Sequence, residues 1–336
     1  MKLVLLGAGR IGQVHAANVQ RHPVATLHVV VDADEAAARA LSERHGARWS
    51  TDAVAAVRDP DIDGVLVCTP TDTHVAMLEL CAEQRRPAFC EKPIDLDAQR
   101  AAACLEKLRA AGVPLLLGFN RRFDPHFRAL KSSLDEGALG RLEVLKITSR
   151  DPAPPPPAYV KVSGGLFRDM MIHDLDMARF LLGEDPVEIY ATGSCLVDPD
   201  IGCAGDVDTA MAVLRTGSGV LCHIDNSRRA AYGYDQRIEA FGEHGMLQAE
   251  NPPPTTLRRA TVEGVCTDKP PYFFLERYEA AYRAELDHFV DVVSGSAAPL
   301  VDGADGLAAL RLADAAARSL AEGRPVRLHE DRSPAG

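Results

Sequence analysis

Along the first 120 residues, short apolar runs alternate with stretches whose apolar positions recur every three or four residues. The runs at 3–6, 27–31, 64–68, 88–90 and 115–119 predict strands buried on both faces, and 11–21, 34–45, 73–84 and 96–111 predict amphipathic helices. That alternation implies a doubly wound parallel sheet covered by helices, which binds ligands outside the carboxyl ends of its strands. After Asn120 the pattern changes. A helix near 124–136 leads into a strand at 142–149 and then a proline-rich stretch, Pro152 to Pro157, expected to lack regular structure because proline fixes φ and has no N–H. A helix carrying Asp169 follows and ends near Gly183, a plausible left-handed cap. Strand-like runs at 187–196, 209–214, 220–226, 237–241 and 246–249 come next, with turns at Gly217-Ser218-Gly219 and Gly242-Glu243-His244-Gly245. Helices near 276–294 and 304–322 close the chain. The expected organisation is an α/β domain over 1–120, an α+β domain with a large, mostly antiparallel open sheet over 121–330, and a disordered tail over 331–336.

Bulk composition narrows the function classes. The 336 residues suffice for two domains with separate cores. A formal net charge of -11 argues against a general nucleic-acid binder, which needs a basic face. The eight cysteines contain no Cys-x-x-Cys pair and several sit in apolar runs, so reduced, mostly buried thiols are expected. No run reaches membrane-spanning length and the N-terminus lacks a secretory pattern, so the expected compartment is the cytoplasm.

The strand at 3–6 runs directly into Gly7-Ala8-Gly9-Arg10-Ile11-Gly12, which opens a helix. Gly7 permits the tight turn, Gly9 the approach of a pyrophosphate, and Gly12 close helix–strand packing, while the helix N-terminus supplies free N–H groups. The second strand ends at Asp32, twenty residues beyond Gly12. An acidic side chain there accepts from ribose hydroxyls and repels a 2′-phosphate, which favours NAD over NADP; Arg10 is the residue that would accommodate a phosphate. This is the signature of a Rossmann domain. Thr69 and Pro70 lie at the end of the third strand, at the dinucleotide edge, where Thr71 or Asp72 also suits a helix N-cap; His74 by itself reads as structural. Glu91-Lys92-Pro93 ends the strand at 88–90, and a lysine there points toward a nicotinamide as readily as it forms a salt bridge beside a turn.

Asp169, His173 and Asp176 stand at i, i+4 and i+7 in a segment otherwise rich in Leu, Ile, Met and Phe, and on a regular helix they share one face. The stripe has three readings: a satisfied structural network, a metal site, or an acid–base centre. No second histidine stands at ligand spacing, so no metal is expected. A nucleotide domain upstream favours acid–base chemistry, for which His is suited near neutral pH.

In GAGRIG with His15, CTPTDTH, EKP, GFNRRFDP, SRDP, VSGGLFRDMMIHDLDMARFLLGE and YGYDQR, the chain resembles the Gfo/Idh/MocA oxidoreductases, and within them the inositol branch. The resemblance implies NAD-dependent oxidation of an inositol secondary alcohol, myo-inositol to scyllo-inosose, by a homotetramer assembled through the second domain's sheets. It further implies Lys92, Asp169 and His173 as the catalytic trio. The cofactor would be held by Gly7, Gly9, Arg10, Ile11, Gly12, Asp32, Thr69, Pro70, His74 and Glu91. The polyol would be read by Arg122, Asp151, Asp176 and Tyr232 beside the trio, with Tyr234 the alternative to Tyr232. The alternatives are scyllo-inositol, another polyol or a pyranose, and, from another class, a catalytically silent NAD-binding sensor.

Overall fold

The computed structural model describes residues 1–328; the tail expected at 331–336 lies outside the described residues. The chain forms two compact units, Met1–Phe123 with Ala280–Leu310, and Asp124–Glu279 with the residues from Arg311 onward. The sequence pattern placed both closing helices in the second domain. In the structure, Ala280–Leu310 returns to the first unit, because an amphipathic helix carries no label for the sheet it will cover.

In the first unit, β1 (Lys2–Leu6), β2 (Thr26–Val31), β3 (Arg48–Ser50), β4 (Gly64–Val67), β5 (Ala88–Glu91) and β6 (Leu115–Gly118) pair in the order β3-β2-β1-β4-β5-β6. Every pair is parallel. This is the doubly wound order with its reversal between β1 and β4. Helices α1 (Arg10–Arg21), α2 (Glu35–His45), α3 (Ala53–Arg58), α4 (Thr71–Glu83) and α5 (Ala98–Ala111) connect the strands. Leu3, Val4, Leu5, Val65, Leu66 and Val67 are fully buried, as a sheet covered on both faces requires. β3 and α3 were not anticipated. They are short and largely exposed, so no apolar period marks them. Phe289, from the returning segment, packs its ring 6.0 Å from that of Phe89.

The second unit holds β7 (Leu142–Arg150), β8 (Pro186–Ser194), β9 (Thr209–Thr216), β10 (Leu221–Ser227), β11 (Asp235–Gly242) and β12 (Gly245–Ala249), ordered β12-β11-β7-β10-β9-β8 and extended by the short strand Val326–Arg327. Neighbours are antiparallel except β7 and β10, which run parallel, so the sheet is mixed. Residues alternate between faces. Ala210, Ala212 and Leu214 point into the core, while Met211 and Val213 are exposed. Tyr190, Leu221, Phe241 and Met246 are exposed as well. A hairpin of Arg258–Thr261 and Gly264–Thr267, unmarked by apolar alternation, is exposed throughout. No helix among the described residues is long and apolar enough to cross a membrane. All eight cysteines are free, five of them buried; burial pushes the Cys81 thiol up to about 12.

Helices α6 (Pro125–Asp135), α7 (Pro157–Ser163) and α8 (Ile172–Leu182) belong to this unit. The proline-rich stretch does not stay irregular to its end. Pro157 starts α7, where its missing N–H costs nothing at the first helical position. Asp124 caps α6 by accepting from the backbone N–H groups of His126 and Phe127. Its other oxygen lies 2.5 Å from Nη1 of Arg277, and both side chains are buried.

Removing that carboxylate deletes a cap and strands a buried guanidinium. Asp124→Ala is therefore expected to cost about 3–5 kcal/mol in urea unfolding, mostly through the unpaired charge. A loss under about 1 kcal/mol, the worth of the cap alone, contradicts this assignment.

Candidate active site

The strand ends of the first unit converge on one edge. Gly7 follows β1, and a Cβ at Gly12 would lie 2.0 Å from the Gly7 carbonyl oxygen, so the turn and the start of α1 close only without a side chain there. Gly9 is different. Its backbone is extended, a conformation open to any residue, and a Cβ there would meet nothing within 4 Å. Protein packing does not demand this glycine; approach by a ligand does. No side chain caps the N-terminus of α1 and no acidic residue occupies its first turn, so its N–H groups and dipole remain available to phosphates. Asp32 follows β2, accepts from the backbone N–H of Ala8 at 2.7 Å and from that of Asp34 at 2.9 Å, and is thereby fixed beside the glycine loop. These residues fit a dinucleotide, whose ribose Asp32 would meet. Arg10 is exposed at the first residue of α1, and Ile11 is half-buried behind it.

Thr69 and Pro70 follow β4, and the Thr73 hydroxyl donates to the Thr69 hydroxyl at 2.7 Å. His74 is buried, with Nδ1 2.7 Å from the Pro93 carbonyl and Nε2 2.8 Å from that of Thr69. Its ring joins the loops after β4 and β5. Glu91 ends β5 and holds Nε2 of His15 at 2.9 Å. Lys92 follows, half-buried. Arg122, expected to contact the polyol, is buried, with Nη2 3.0 Å from Asp305 Oδ1 and Nη1 3.3 Å from the Leu300 carbonyl.

In the second unit, Gly164 and Gly165 both adopt left-handed φ, and Phe167–Met171 form one widened π-helical turn before α8 begins at Ile172. The regular spacing inferred from i, i+4, i+7 therefore does not hold across this segment. Asp169 and His173 are half-buried, whereas Asp176 is completely buried. The three do not form the single evenly accessible stripe that an α-helix would give. Gly183 does cap the helix in the left-handed region, at φ 71°.

Two partners of Asp169 went unforeseen. The Tyr159 hydroxyl, on α7, donates to Asp169 Oδ1 at 2.9 Å, and Arg228 Nη2 donates to Oδ2 at 3.2 Å. Arg228 is buried, and its Nη1 lies 3.9 Å from Asp151 Oδ2. A buried guanidinium thus fixes both carboxylates at the end of β7 and in the π turn. The sequence offers only an Arg-Arg pair after a strand, which normally reads as solvated. Beneath them, Asn226 donates to Asp174 Oδ2 at 2.8 Å and Ser149 to Gln236 Oε1 at 2.9 Å, all four fully buried or nearly so. This polar layer holds α8 on the sheet. The Tyr232 hydroxyl donates to Asp235 Oδ2 at 2.5 Å and accepts from Arg150 at 3.3 Å, and burial pushes the phenol up. Tyr234 is buried edge-on to Tyr278, so of the two tyrosines Tyr232 is the accessible one.

Residues 1–119 match the family model of an oxidoreductase family with an NAD-binding Rossmann fold, and residues 127–248 match the GFO/IDH/MocA C-terminal domain. The chain belongs to the Gfo/Idh/MocA oxidoreductase family. It is 51% identical over 325 residues to the inositol 2-dehydrogenase of Rhizobium meliloti strain 1021, covering 96% of this chain and 97% of that one. A crystal structure of a myo-inositol dehydrogenase from Corynebacterium glutamicum superposes with TM-score 0.94 at 45% identity, covering 98% of each chain. A scyllo-inositol dehydrogenase from Lactobacillus casei, solved with bound NAD(H) and scyllo-inositol, superposes with TM-score 0.90 at 28% identity over 97% of this chain and 98% of that one. As a Gfo/Idh/MocA member this chain is an NAD-dependent dehydrogenase.

Asp32→Ala is expected to weaken NAD binding and narrow its advantage over NADP, since the carboxylate that repels a 2′-phosphate is gone. Equal wild-type kcat/KM with both cofactors at subsaturating concentration refutes the assignment.

Proposed function

We propose that this dehydrogenase oxidises a ring hydroxyl of an inositol, myo-inositol to scyllo-inosose being the foremost reaction. The observation that carries the reading is the Asp169 carboxylate, held by buried Arg228 and by Tyr159 in the π turn that leads into the helix of His173. Such an arrangement keeps an acceptor in fixed orientation four residues before a half-buried imidazole. NAD, when bound, supplies the hydride acceptor. His173 takes the hydroxyl proton as general base. Asp169 orients its ring and stabilises it once charged. Lys92 donates to the reacting oxygen and favours developing alkoxide character. Asp151, Asp176 and Tyr232 read neighbouring hydroxyls. The names of the similar proteins, myo-inositol dehydrogenases and a scyllo-inositol dehydrogenase, support a cyclitol substrate and keep scyllo-inositol as the second reading.

His173→Ala is expected to lower turnover on myo-inositol by about 10²–10⁴ while NAD affinity changes little, because a general base is lost and the cofactor is held elsewhere. Asp169→Asn slows the reaction too, and the double variant is far less than multiplicatively worse. Wild-type turnover in His173→Ala removes His173 from the chemistry. NADH production across inositol stereoisomers and aldoses separates the substrate readings; no turnover on any of them refutes the cyclitol and pyranose readings.

We further propose a homotetramer in the cytoplasm. Supporting it, Tyr190 sits opposite Val213, and Phe241 opposite Met246, on the exposed sheet face, where burial between subunits removes apolar area worth about 25 cal/mol per Å². Light scattering at micromolar concentration is expected to give four times the 36.2 kDa chain mass; a monomer sinks the assembly.

A further inference from the structure

Within the first unit, one buried acid has no role in the chemistry described so far. Glu285, on the helix Glu279–Ser294, is completely buried, and neither of its carboxylate oxygens has a hydrogen-bond partner. One ligating atom from each of Glu285, Glu91 and His15 lies within 4.8 Å of the others. Nδ1 of His15 is also without a partner, while its Nε2 is engaged by Glu91. Phe89 and Tyr282 flank the imidazole at ring distances of 4.8 and 5.9 Å. Opposite Glu91 on β6 stands Gly118, where a Cβ would lie 2.8 Å from Glu91 Oε2. The glycine leaves room for the carboxylate.

Two ionised carboxylates at this separation repel strongly in a buried setting, and an unpaired buried charge costs several kcal/mol. The electrostatic problem is solved by a proton or a cation. Burial pushes the Glu285 carboxyl well above the usual range, and the charge of Glu91 pushes the same way. Once neutral, Glu285 becomes a donor, and the acceptor beside it is the Glu91 carboxylate, which already takes one hydrogen bond from His15. Glu91 immediately precedes Lys92, so whatever holds Glu91 sets the exit of β5.

We propose that Glu285 works as a neutral carboxylic acid whose proton is turned toward the Glu91 carboxylate, within 4.8 Å in the cluster, and with His15 holds that carboxylate in one orientation, making Glu285 a positioning residue for the Glu91–Lys92 strand end. The inference rests on the reading of that strand end as part of the redox site. Glu285 itself is given no contact with substrate; it acts through Glu91 and Lys92.

Glu285→Gln keeps a neutral donor of the same shape; Glu285→Met keeps the volume and removes the donor. On the full-length enzyme, NADH affinity by fluorescence, kcat and KM with myo-inositol, and the thermal midpoint are measured for both. The Gln variant is expected within about twofold of wild type, and the Met variant about tenfold weaker in kcat/KM, as loss of one buried hydrogen bond predicts. Adding Glu91→Gln to the Met variant is expected to cost little more. If Gln is as damaging as Met, the ionised form is required; stoichiometric divalent metal in the wild type, with loss of stability in EDTA, then replaces the proton by a cation. If Met behaves as wild type, Glu285 is filler and the proposal fails. If Glu91→Gln alone leaves NADH affinity and turnover intact, the redox reading of the strand end fails instead. In that case a higher thermal midpoint for Gln than for Met still decides for the Glu285 proton, and equal midpoints decide against it.

Discussion

Parallel pairing of β1 to β6 is the constraint from which the cofactor side follows. In a parallel sheet every strand delivers its carboxyl end to the same edge, so Gly7, Asp32, Thr69, Glu91 and Gly118, scattered over more than a hundred residues, arrive there together. The ladder also fixes their neighbours. Glu91 stands opposite Gly118 because β5 and β6 are in that register, and the missing side chain is what the carboxylate occupies. A shift of one residue would turn each of these groups to the other face.

The second unit works under a different rule, the cost of burying charge. Asp169 and Asp151 share Arg228, Asp174 is met by Asn226, and Asp124 by Arg277. Each joins elements far apart in the chain through groups that are expensive to separate; Arg228 and Asn226 tie the π turn and α8 to the sheet, and Arg277 ties its helix, Phe274–Arg277, to α6. The π turn at Phe167–Met171 sits within this frame. It turns Asp169 toward Arg228 and Tyr159, while Asp176, further along, goes fully inside. Irregular helix geometry at a functional residue is a recurrent use of such turns.

The sheet itself divides the second unit's labour. Its core face carries Ala210, Ala212, Leu214 and the polar row Asn226, Ser149 and Gln236, and its other face carries Tyr190, Met211 and Val213. The inner row positions α8, and the outer row is what an associating surface needs.

Periodicity and glycine spacing were enough to read the five longer strands of the first unit from the chain alone, though not the short β3 and α3 or the return of Ala280–Leu310. Local patterns report which face of a strand or helix is dry, and Gly7 to Gly12 with Asp32 is a local motif whose geometry follows from neighbouring residues. The antiparallel runs of the second unit were legible for the same reason. Pairings between distant residues were not legible. Arg228 looks like a surface arginine until β10 places it beside Asp169, and Glu285 like an ordinary helix acid until the chain returns to the first sheet. Those identities depend on long-range contacts, and a one-dimensional pattern encodes burial but not the partner that burial will require.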